Sequence, residues 1–215
     1  MKWISKPRFS IRVLLIGFTV VCVLLAYYAN RVRRQQQSVA AIQNSGPSRV
    51  YYAFQLDRLH NGEESERSNL PTWLIESTGN DFYFKIGRID IGSAIHAIDV
   101  VHFRNLPHVQ AVVVITDDTL TAADVQKVAE FSQLEALCLN GKIEADALEP
   151  LRPCRKLQRL HLESHQLSPA LLAPLRDLPS LKSLVLVDNA LAPKLTAESI
   201  TELRATMPSC KISYR

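Results

Sequence analysis

Apolar positions in the second half of the chain fall into one short recurring unit: an apolar residue, two others, a second apolar residue, one spacer and a third. It occurs as Ile86, Ile89 and Ile91; Val109, Val112 and Val114; Leu134, Leu137 and Leu139; Leu157, Leu160 and Leu162; and Leu181, Leu184 and Leu186. The five copies start 23, 25, 23 and 24 residues apart, and a degenerate sixth at 210–214 begins 29 residues after the last. Alternation at the end of each unit turns two branched side chains to one face of a short strand and the spacer to the other. Between units the period becomes helical, with Val125, Val128 and Ala129, then Leu148 and Leu151, Leu171 and Leu175, and Ile200 and Leu203. Each unit is therefore expected to be a strand with a helical return. One unit cannot bury its apolar face alone, so stacked neighbours build a continuous core, with a parallel sheet on the concave side. Pro107, Pro179 and Pro208, each after an apolar residue and just before a strand, fit the ends of three returns.

A different pattern opens the chain. Residues 13–29 are 17 positions without a charge, a helix of roughly 26 Å against a hydrocarbon core of about 30 Å. Arg12 at one end, and Tyr27 and Tyr28 at the other, suit the two interfaces. A cleaved leader is the competing reading, but cutting after Ala29 or Ala26 would put Tyr27 or Leu24 where a small residue is required. The expectation is an uncleaved single-pass anchor at 13–29, after a basic tail at 1–12 and before a basic, polar stalk at 30–47. The stalk has helical composition, with a modest apolar face of Val39, Ala40 and Ile42, until Gly46 and Pro47 stop it. Lys2, Lys6, Arg8 and Arg12 outnumber Arg31, Arg33 and Arg34 by one, which favours an inside N-terminus and an extracytoplasmic remainder.

Charge, divided along the chain, removes one class of function. The net +4 is local: residues 1–34 hold seven of the 25 basic residues and no acid, leaving 18 against 21 acids over 35–215. No basic stripe with stacking aromatics remains, so no nucleic-acid partner is expected. At 215 residues with 47% hydrophobic content, the chain is expected to build one proper core.

LKSLVLVDNAL, at 181–191, matches the leucine-rich repeat consensus LxxLxLxxNxL at every specified position. Asn189 is expected to donate its side-chain amide to backbone carbonyls in the turn, a role taken by His165 one copy earlier. The copies starting at 86 and 134 run one residue short before the next apolar position, so their turns must differ. FSIRVLLIGFTVVCVLLAYYANRVRRQQQSVAAIQNSG, with the later LPTWLIESTGNDFYFKIGRIDI, resembles the membrane-anchored leucine-rich repeat proteins common in planctomycete-type bacteria, over nearly the whole chain. The resemblance implies an α/β solenoid after one transmembrane helix. It implies a cap region at 48–85, with a strand at 50–55 and a helix at 71–77 that sets Trp73 and Leu74 against the first repeat. The repeats and a C-terminal cap then fill 86–215. It lends no activity; what it implies is a binding scaffold.

No phosphate-binding loop, dinucleotide fingerprint, nucleophile elbow or zinc signature occurs, so no catalytic residue, metal or cofactor is expected. Aligned repeats put Asp90, Val113, Cys138, His161 and Val185 in the central outward column of the sheet. Cys138 and His161 become neighbours about 4.8 Å apart, a thiolate–imidazole pair or half a metal site on paper. Two ligands do not hold zinc, and Asn140 and Glu163 are weak additions, so ordinary surface residues explain the pair better. His161 and His165 are four apart but on strand and turn, where that spacing does not converge. Cys154 fills the slot of Leu106, Phe131 and Leu178 and is expected to be small and buried, and no two cysteines suggest a bridge. Val113, Ile115, Val185 and Val187 turn apolar groups outward. With Cys138 and His161 they form the expected surface for a protein or peptide partner, unless a loop or neighbouring chain covers them. The rivals are a self-associating structural component of the cell envelope and an enzyme built on Cys138 and His161. Residues 56–69 read as a surface loop.

Overall fold

A proline-free run with a single internal glycine, Gly17, carries one helix, α1 (Ile11–Asn44), through both the apolar segment and the stalk, until Gly46, with φ at 147°, and Pro47 end it. The computed structural model describes residues 11–53, 85–93, 95–190 and 195–215. The expected helix at 71–77 with Trp73 and Leu74, and the loop at 56–69, lie outside them. The first half of α1 is long and apolar enough to cross a membrane and leaves Val13, Leu14, Ile16, Phe18 and Leu25 exposed. Its second half does something else: Val32, Ser38, Val39 and Ile42 are buried. The stalk lies against α2 (Val100–Arg104) and β1 (Arg49–Tyr52), forming the end layer of the repeat core. Ala40, expected on that apolar side, faces out instead, and Ser38 takes a buried place. A buried hydroxyl needs partners, and Ser38 Oγ accepts from Asn105 Nδ2 at 3.2 Å and lies 3.3 Å from His102 Nδ1.

Six further strands follow: β2 (Ile86–Ile91), β3 (Ala111–Leu120), β4 (Ala136–Ile143), β5 (Arg159–Ser164), β6 (Ser183–Asp188) and β7 (Lys211–Tyr214). They pair strictly in chain order; β1 runs antiparallel to β2, and every later pair is parallel. The fifteen apolar positions of the five units all point to one face, none more than 3% exposed. That face is covered by α2, α3 (Ala122–Ala129), α4 (Pro169–Leu172), α5 (Ala197–Thr206) and 3-10 turns at Glu149–Leu151 and Ala173–Asp177. Val125, Val128, Leu148, Leu151, Leu171, Leu175, Ile200 and Leu203 descend from them into the core, as the helical periodicity requires. A strictly sequential parallel sheet, with repeated leucines under helical returns on one side only, is a leucine-rich-repeat-like fold.

Two shortened turns depend on glycine. In the copy starting at 134, Gly141 sits at φ +149°, and a Cβ there would lie 2.5 Å from the carbonyl oxygen of Thr116 on the preceding strand. Gly92, in the other short copy, packs as closely on the Pro47 ring. Dropping one residue pulls the turn onto its neighbour, and only glycine leaves room. Gly141→Ala is expected to cost about 1–3 kcal/mol, since both strain and a backbone clash must be relieved; chemical denaturation of the full chain in detergent measures it. At the same level of other strands, a buried hydroxyl or a half-buried carboxylate closes the turn: Thr116 Oγ1 accepts from Asp118 N at 3.0 Å, Ser164 Oγ from Gln166 N at 3.4 Å and Asp188 Oδ1 from Ala190 N at 3.1 Å. Below, Asp124 caps α3 in a reciprocal box with Thr121, and its Oδ1 lies 2.9 Å from His96 Nδ1.

Candidate binding face

The strand registers place one residue of each strand from β2 to β7 in a row across the face of the sheet that no described helix covers: Asp90, Val113, Cys138, His161, Val185 and Ser213. Two residues later a second row holds Ile115, Asn140, Glu163 and Val187. Two residues earlier, Ala111 and Ala136 stand between Arg88 and Arg159. These small side chains leave space, and a depression of about 460 Å³ opens over them, bordered by Arg88, Glu135, Arg159 and Val185. The column read from the repeats is thus one physical row, and its centre lies in a hollow.

The apolar side chains in that region differ from expectation. Ile115 is 57% exposed, but Val113, Val185 and Val187 are half-buried. Val113 and Val185 lie along the wall of the depression, shielded by their row neighbours Cys138 and His161. What faces solvent is a recess with apolar walls, not a raised apolar patch.

Around the recess and the row above it, several polar groups are tied to one another. Arg88 donates to both carboxylate oxygens of Asp90, at 2.7 and 3.2 Å, while its guanidinium lies 5.5 Å from the Tyr51 ring centre. Glu163 accepts from Asn189 Nδ2 at 3.0 Å. That bond redirects the Asn189 amide, expected on turn carbonyls, onto the open face, because the carboxylate one strand away is a stronger acceptor. His165 Nδ1 meets the Asn189 carbonyl oxygen at 2.9 Å. Two buried side-chain atoms have no hydrogen-bond partner among the described residues: His161 Nε2, in the row beside the recess, and Asp188 Oδ2, at the end of β6.

Cys138 stands beside His161 in register, yet neither side chain makes a hydrogen bond among the described residues. Burial pushes the Cys138 thiol up, Glu163 adds to this, Arg88 opposes it and Asp90 reinforces it. A raised thiol stays protonated at neutral pH, which runs against its acting as a nucleophile or metal ligand. Among the described residues, no three His, Cys, Asp or Glu side chains converge as a metal set. All four cysteines are free. Cys154 is half-buried, less enclosed than the leucines in the same slot, and burial pushes its thiol up to about 11.

No family model matches the chain, and no curated protein matches it. Among solved structures it is similar to a leucine-rich repeat protein of Leptospira interrogans, at 20% identity and a TM-score of 0.38, over 54% of this chain. The match spans 27% of that protein's length.

Proposed function

We propose that the chain is a membrane-anchored scaffold whose repeats form a solenoid and bind a protein or peptide partner in the recess on its concave sheet. Residues 13–29 hold it in the membrane of the cell envelope, with the repeat domain on the extracytoplasmic side, as the small excess of basic residues before the span favours. The observation that carries the reading is the recess itself, with its apolar walls and one buried, unpartnered nitrogen. An unmade hydrogen bond costs about 1–3 kcal/mol. A peptide offers both missing groups at once: a side chain to fill the space between Val113 and Val185, and a backbone or side-chain polar group for His161 Nε2. Self-association is the second reading, supported by the exposed Ile115 at the rim.

A photo-crosslinker at Ile115 in the membrane-embedded full chain tests both. The expected product is a crosslink to a different polypeptide, and a crosslink to a second copy favours the structural reading. Val113→Asp with Val185→Asp should abolish the product, and since both positions are half-buried, a cooperative melting transition retained at a lowered temperature checks that the fold survives. Cys138→Ala should leave it intact. Persistence of the crosslink in the double variant would place the site elsewhere.

A further inference from the structure

Where α1 leaves its apolar segment it meets the repeat domain, and the two surfaces leave a cleft of about 490 Å³ between them. Tyr27, Arg31 and Arg34 line it from the helix; Arg104, Asn105 and Pro107 line it from the end of α2 and the loop that follows. Its charges are unevenly satisfied. Arg104 is bound by both oxygens of Glu130, at 2.9 and 3.0 Å. Arg31 Nη2 donates to His108 Nε2 at 2.8 Å, an acceptor without charge. Arg34 has no partner among the described residues. Two guanidinium groups thus stand three residues apart on one helix face, where like charges repel, with no carboxylate assigned to either. His108 does not supply one, and its own protonation is disfavoured by burial and then by Lys85 and Arg31.

Depth along the helix narrows what would fill such a cleft. Arg31 and Arg34 lie two and five residues past Ala29, about 3 and 7.5 Å along the axis. The headgroup layer extends about 5–7 Å beyond the hydrocarbon on each side. Phosphate oxygens are the groups found at that depth, and the guanidinium fork matches them with two parallel hydrogen bonds. The cleft volume falls within the range of about 300–1,000 Å³ usual for small-molecule sites.

We propose that this cleft binds the phosphate headgroup of an anionic phospholipid, held by Arg31 and Arg34 between the membrane helix and the repeat domain. The proposal rests on the reading of 13–29 as a membrane span. The lipid is a ligand here, clamped by two parts of the protein, and not merely the medium around the helix.

The test uses the full chain, reconstituted with equal amounts of phosphatidylcholine and phosphatidylglycerol and extracted in mild detergent, with retained lipid quantified by mass spectrometry. Phosphatidylglycerol should be enriched over phosphatidylcholine. Arg31→Gln with Arg34→Gln should lower that enrichment about tenfold, the scale of one lost charge-assisted hydrogen bond. Arg34→Gln alone, which disturbs no contact among the described residues, should lower it in part if the double variant misfolds. Arg33→Gln removes the same charge from a residue that does not line the cleft and should leave enrichment unchanged. Equal losses for Arg33→Gln and Arg34→Gln would reduce the effect to general surface attraction and overturn the site. Displacement of phosphatidylglycerol by millimolar inorganic phosphate would show a free-anion site and overturn the headgroup assignment. Flotation with pure phosphatidylcholine vesicles separates the two readings: failure to float defeats the membrane span, whereas flotation without enrichment defeats only the lipid site.

Discussion

Leu160→Ala is expected to lower the stability of the full chain by about 2–5 kcal/mol, the range for leucines whose removal leaves a cavity. Leu160 is 1% exposed and sits on β5, with Leu137 and Leu184 level with it on the flanking strands. Neither neighbour can collapse into the gap without leaving its own layer, so the loss should fall toward the upper end. Gln158→Ala, two residues away, is the matched control. Gln158 contributes through its backbone, which accepts from Lys182 N at 2.8 Å, while its side chain is half-buried beside the sheet. A change under about 0.5 kcal/mol is expected there. Denaturant titration of both variants in one detergent gives the comparison, and equal shifts would contradict the repeat register.

Ile42→Asp should be at least as damaging, at about 3–5 kcal/mol, because a carboxylate without a partner would replace a fully enclosed side chain. Ile42 is 0% exposed and belongs to the same cluster as Ile89, Ile95 and Phe103. If residues 30–47 were a free stalk, the substitution would be harmless. The structure requires the opposite: the end of α1 should separate from α2, and limited proteolysis should gain a site near Gly46 that the native chain resists. A melting curve superimposable on the native one would mean that the stalk does not close the core.

The repeats were legible because each signal was local and was repeated. Leu134, Leu137 and Leu139 predict their own burial through spacing alone, and five copies in phase fix which residues share a row. The spacing alone therefore aligns Asp90, Val113, Cys138, His161 and Val185. What could not be read depends on partners remote in sequence. Ser38 looks like one more polar residue in a stalk; only Asn105, 67 positions later, makes it a buried acceptor. The shielding of Val113 and Val185 follows from the small Ala111 and Ala136 below them and the side chains beside them, which no periodicity encodes. Asn189 matched a consensus position, but the nearby Glu163 took its amide. The hydroxyls of Thr116 and Ser164 did leave a trace: a short polar residue stands two positions after the last apolar residue of every unit but the one starting at 134, where Gly141 takes the place.

The unbroken course of α1 has a mechanical consequence. With no hinge between the apolar segment and the residues docked on α2, the helix acts as a shaft with a keyed end, and the 100° pitch angle per residue sets the compass bearing of the open sheet face. One residue inserted between Asn30 and Arg31 would swing the whole repeat domain about a quarter turn or slightly more, while three or four would bring it nearly back, one thread higher by about 5 Å. Rotation or tilt of the buried half would likewise be transmitted undamped to the recess. Register along this shaft, more than its length, therefore determines which way the recess points.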